Sequence, residues 1–156
     1  MSKRILVSSL IGAAALGAVA AGGLAMASTT TAPTPKNGSA RYTAPSDAAP
    51  GTLVFTVDVS DDSGVRGLKA LVWPASSKLD PTEAELRSVE DATCLRTTAE
   101  TSHCTYTLRI TEEEAAEAAT GTWYVSALAT AEDGDTTFVP RAAIFEVPEG
   151  PAGAHR

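Results

Sequence analysis

The chain has 156 residues, room for one ordinary domain and not comfortably for two. Its formal charge is −7, and losing residues 1–27, which carry Lys3, Arg4 and no acid, takes it to −9. So acidic a surface repels phosphate backbones and anionic lipid, which argues against nucleic acid or a membrane surface as partner.

Residues 1–27 have the layout of a secretory signal peptide. Lys3 and Arg4 start it, an uncharged Ala/Gly-rich run from Ile5 to Ala21 follows, and Ala25-Met26-Ala27 offers small residues for cleavage after Ala27. Residues 28–39 are rich in Ser, Thr and Pro, a composition that buries too little apolar surface to offset ordering entropy, and read as a flexible leader. Residues 149–156 read as a flexible tail. The folded domain is expected over 40–148, because every Trp, Tyr and Phe lies between Tyr42 and Phe145.

Within that window, alternation with a period of two dominates. Leu53, Phe55, Val57 and Val59 alternate with polar neighbours, and Asp61-Asp62-Ser63-Gly64 follows as a turn. A strand over about Val65–Trp73 ends at Pro74, which cannot donate to a ladder. Asp80 as N-cap and Pro81 as first residue predict a short helix at about 81–88. Cys104, Tyr106, Leu108 and Ile110 mark the next strand, and Thr111-Glu112-Glu113-Glu114 forms a capping box for a helix ending near Ala119. Trp123 to Ala131 is again a strand. Glu132-Asp133-Gly134-Asp135 is a hairpin turn, and the last strand, about Thr137–Val147, is interrupted at Pro140.

The two cysteines, Cys94 and Cys104, read as one disulfide in an exported chain. Closing so short a loop is worth roughly 3 kcal/mol in the chain-entropy model. About seven strands with one or two short helices in the crossovers, and no strand–helix–strand alternation, predict an all-β sandwich.

Three runs carry a family resemblance: TVDVSDDSGVRGLKALVWP (Thr56–Pro74), DATCLRTTAETSHCTYTLRIT (Asp91–Thr111) and GTWYVSALATAEDGDTTFVPRAAIFEV (Gly121–Val147). They resemble small secreted actinobacterial proteins grouped as a domain of unknown function. DDSGV and the later GTWYVSALATAEDG are also similar to bacterial immunoglobulin-like and fibronectin type III modules. The resemblance implies an immunoglobulin-like β-sandwich and an extracellular address, and it carries over no catalytic residue.

Three sets of residues are candidates for function. Asp61, Asp62, Asp133 and Asp135, joined by Asp58 and Glu132, would meet if their two loops share one end of a sandwich, giving oxygen ligands for calcium; no other cofactor is expected. Against this stands the ordinary use of Asp and Gly in turns. Leu71, Trp73, Tyr124 and Leu128 would form one outward apolar face for an extracellular protein or cell-envelope partner, unless the 75–103 crossing lies over it. Arg96, within the Cys94–Cys104 loop, would be the specificity side chain of an inhibitor of extracellular hydrolases. No catalytic constellation is present: the only histidines are His103 and His155, and no nucleophile elbow or His-Glu-x-x-His pair occurs. The expected function is therefore non-enzymatic binding.

Overall fold

The computed structural model describes residues 31–150. The expected signal peptide, the start of the leader and residues 151–156 of the tail lie outside them. Seven strands form two antiparallel sheets: β1 (Thr34–Thr43), β2 (Gly51–Ser60), β3 (Val65–Pro74), β4 (Thr93–Arg96), β5 (Thr101–Ile110), β6 (Gly121–Ala131) and β7 (Thr136–Val147). One sheet runs β1-β2-β5-β4 and the other β3-β6-β7. The expected sandwich is what forms, with short helices α1 (Glu83–Leu86) and α2 (Glu112–Glu117) in the connections.

The core follows from the alternation. On β2, Leu53, Phe55, Val57 and Val59 point inward and are buried, and the residues between them are half-buried on the outer face. Opposite them, β6 presents Val125, Ala127, Ala129 and Ala131, all buried. Small side chains on β6 leave room for Phe55, and each large apolar side chain so buried contributes about 1.5–3 kcal/mol. Pro140 marks a break in pairing, as expected: Val125 pairs with Ala143 and Ala127 with Val139, so β7 carries extra residues between. Ser126 holds this bulge by donating to the Pro140 carbonyl (2.7 Å).

Two boundaries differ from the sequence reading. Thr34–Ser39, placed in the flexible leader, is the first half of β1 and pairs with β2 from Thr34↔Ser60 onward. Composition hid it, because a strand that pairs through its backbone needs few apolar side chains. Its irregularity lies at Asn37-Gly38, where Asn37 takes a positive φ of 58°. Gly38 there comes so close to β7 that a Cβ would sit 2.2 Å from the Ala142 carbonyl oxygen. The helix cap also moves. Thr82, not Asp80, caps α1, accepting from Glu85 N while the Glu85 carboxylate accepts from Thr82 N. The Thr111–Glu114 capping box forms as expected.

The crossover between β3 and β4 lies on the outer face of the β3-β6-β7 sheet. Helix α1 packs on β3 and β6, and the turn at Ala75–Ser77 packs on β6. Its return segment pairs with the edge of β3: Ala70 N donates to Glu90 O (3.3 Å) and Ala92 N to Leu68 O (2.8 Å). The Thr136 hydroxyl ties α1 to β7 by donating to Glu83 (2.9 Å).

Candidate functional site

Asp61 directly follows β2 and organises the turn into β3. Its Oδ1 accepts from the Ser63 backbone N–H (2.9 Å) and hydroxyl (2.6 Å), and its carbonyl accepts from Gly64 N (3.0 Å). Gly64 takes φ 97°, a region open to glycine at little cost. The β6–β7 hairpin meets this turn: Glu132 N donates to Gly64 O (3.0 Å) and Asp133 N to the Ser63 hydroxyl oxygen (3.2 Å). The β4–β5 hairpin arrives as well, its Glu100 carbonyl accepting from Asp61 N (2.8 Å). Three loops therefore share one end of the sandwich.

At that end Asp61, Asp62 and Asp133 each bring a carboxylate oxygen within 4.8 Å of the others. Asp62 and Asp133 are exposed, whereas Asp61 is only 5 % exposed and its Oδ2 is buried without a hydrogen-bond partner. Asp62 Oδ1 accepts from the Thr31 hydroxyl (3.2 Å), and Asp133 Oδ1 accepts from Asp135 N (3.0 Å).

Not all six expected acids gather. Asp135 lies beyond Gly134, closes the hairpin through its carbonyl to Ala131 N (2.8 Å), and is not among the three clustered carboxylates. Glu132 turns to Arg66, whose guanidinium also donates to the Glu132 carbonyl (2.7 Å). Asp58 points to the outer face of β2, where it contacts His103 Nδ1 at 2.7 Å and accepts from Asn37 at 3.3 Å. Those partners hold its carboxyl below the ordinary 3.8, His103 contributing most. Arg87 and then Thr136 likewise hold Glu83 below 4.5. A carboxyl lowered by folding stabilises above its unfolded value and loses that contribution as pH falls through the folded one. Acid titration should thus show stability falling as pH drops below about 4.5. Asp58→Asn should remove only the part lost below 3.8, as followed by urea midpoints at each pH.

The apolar stripe is covered rather than displayed. Its parity is as expected, but Trp73 and Leu128 are 5 % and 2 % exposed, and Leu71 and Tyr124 are only partly so. The crossover supplies the cover: α1, with Leu86 buried, packs on β3 and β6, and the Ala75–Ser77 turn packs on β6. Trp73 packs against Tyr124 with ring centres 4.8 Å apart and donates its indole N–H to Ser126 (2.9 Å). Arg141 lies 4.5 Å over the outer part of the cluster, the Tyr124 ring. This face is a second, smaller core.

The cysteines are bridged and are direct cross-strand partners of β4 and β5. The loop they bracket is a tight hairpin. Arg96 is still in the ladder, opposite Ser102, and lies exposed beside Gly64. Only residues 97–100 form the tip, where Thr98 accepts from Glu100 N and Thr101 N.

The opposite end holds a feature that the sequence reading missed. Beside α2 the sheets leave a cleft of about 220 Å³, with Tyr42, Leu53, Trp123 and Phe145 among its walls and Leu108 and Arg109 beside them. The Tyr42 and Trp123 rings both stack on Phe145, at 6.3 and 6.0 Å. Trp123 is fixed by donating to the Ala119 carbonyl (2.7 Å). The available signal was three aromatic residues at strand ends on one side of the fold.

One family profile matches residues 35–129, more than half of the chain. The chain belongs to DUF5707, a family of unknown function. No curated protein matches it. The DUF5707 match begins inside β1, within the segment first read as a leader, and includes Asp61 and Asp62 but not Asp133. Among the described residues, no helix is long and apolar enough to cross a membrane.

Proposed function

We propose that this DUF5707 chain is an exported, non-enzymatic, immunoglobulin-like module that acts by binding an extracellular protein or a cell-envelope component. Lettered in chain order, its sheets are A-B-E-D and C-F-G, the order of a constant-type immunoglobulin domain, which supports the fold name. The disulfide suits an oxidising compartment, and the basic-then-apolar start suits export.

The aromatic cleft carries the binding reading. Among the described residues the former stripe is used internally, whereas the partly buried rings of Tyr42 and Trp123, packed on the buried Phe145, line an open cleft. Its volume exceeds the ~150 Å³ in which an apolar cavity takes up benzene and falls below the ~300 Å³ of ordinary small-molecule sites. It fits one ring-sized apolar group of a partner.

Toluene is a suitable probe in a titration followed by nuclear magnetic resonance. The Trp123 indole N–H resonance should shift in a saturable way, while that of Trp73, on the far face of its sheet, stays fixed. Leu108→Phe, which narrows the cleft, should abolish the shift and weaken retention of the protein on cell-envelope fractions. A Trp123 signal indifferent to millimolar toluene would overturn the reading.

A further inference from the structure

We propose that the loop end opposite the cleft is a calcium site built from Asp61, Asp62 and Asp133. Three carboxylates converging within 4.8 Å would mean little by themselves, since exposed acids commonly crowd turns. The deciding observation is the state of Asp61. This side chain is 95 % buried, and its Oδ1 is already used by Ser63. Its Oδ2 is buried, and no donor among the described residues reaches it. A buried carboxylate oxygen without a partner is costly and calls for an explanation, an ion being one that also accounts for the neighbouring like charges.

Among the described residues, no basic side chain supplies that charge. Arg66 is engaged by Glu132, and Arg96 lies beside Gly64 without an ion pair to any of the three acids. The donors that do reach the cluster are neutral: the Ser63 hydroxyl and N–H on Asp61, Thr31 on Asp62, and Asp135 N on Asp133. They orient the acids and leave an oxygen of each free for a cation.

The chemistry favours calcium over magnesium. All the ligands are hard oxygens. They come from two separate loops of irregular spacing, which suits the adaptable six- to eight-fold shell of calcium, with water completing it, better than the strict octahedron of magnesium. Such a site would tie the β2–β3 turn to the β6–β7 hairpin, adding an ionic link to the two hydrogen bonds already joining them.

The test compares protein stripped with EDTA and protein titrated with CaCl2. Calorimetry should show one site, with a Kd in the roughly 10⁻⁴–10⁻³ M range of extracellular modules. At tenfold excess over Kd the melting temperature should rise by about 5 °C. Asp61→Asn should lose the rise without a lower melting temperature in EDTA. The exposed pair Asp62→Asn/Asp133→Asn, which leaves the core untouched, should lose it as well. Equal melting temperatures in calcium and EDTA would refute the site. So would an undiminished rise in the double variant, or an equal rise with MgCl2, which would mean general charge screening. None of these outcomes depends on the cleft.

Discussion

Leu86→Ala is expected to lower the unfolding free energy by about 3 kcal/mol, more than a single apolar residue in a one-turn helix would suggest. Leu86 is fully buried, although α1 spans only Glu83–Leu86 and is held by its capping box and the Thr136–Glu83 bond. Truncation removes its transfer energy and opens a void over the smaller core. Trp73 and Leu128 would then be partly exposed. Urea denaturation monitored by tryptophan fluorescence measures the loss. Leu79→Ala, at a residue that is half exposed, serves as control and should change stability by no more than about 0.5 kcal/mol. Equal effects at the two positions would mean that the face is not sealed by α1.

Gly38→Ala should cost about 3 kcal/mol, the upper part of the range for overpacking. The obstacle is backbone: an added methyl would lie 2.2 Å from the Ala142 carbonyl oxygen, so β1 must withdraw from β7. A leader without fixed structure would tolerate the same change within about 0.5 kcal/mol. Thermal or urea melting of this one variant therefore decides whether the domain begins at Thr34 or near residue 40.

These two positions also mark where the sequence was hard to read. Alternation at Leu53–Val59 and Cys104–Ile110 was plain because each strand has one face in a shared core, and the Thr111–Glu114 box was plain because its partners are three residues apart. The meeting of the acidic loops followed once two sheets were assumed. By contrast, Thr34–Ser39 is polar, and its order comes from pairing with β2 and from the tight approach at Gly38, neither of which leaves an apolar pattern. The covering of the Trp73 face by α1 was invisible for a related reason: one turn of helix has no periodicity, and it meets the sheet only through the tertiary fold. Asp135 dropped out of the cluster because distance along a turn does not say which way a side chain leaves it. The cleft went unseen because Tyr42, on β1, is far along the chain from the β6–β7 hairpin in which Trp123 and Phe145 pair.

The return of the crossover along β3 has one more consequence. An open sandwich exposes strand borders at which a foreign segment can add by β-augmentation, the usual start of runaway polymerisation. Here residues 90–92 already occupy the β3 border, β1 and β7 lie against each other, and β4 is only four residues long. The chain thus acts as its own stopper along part of these borders, which works against growth of the ladders from one copy to the next.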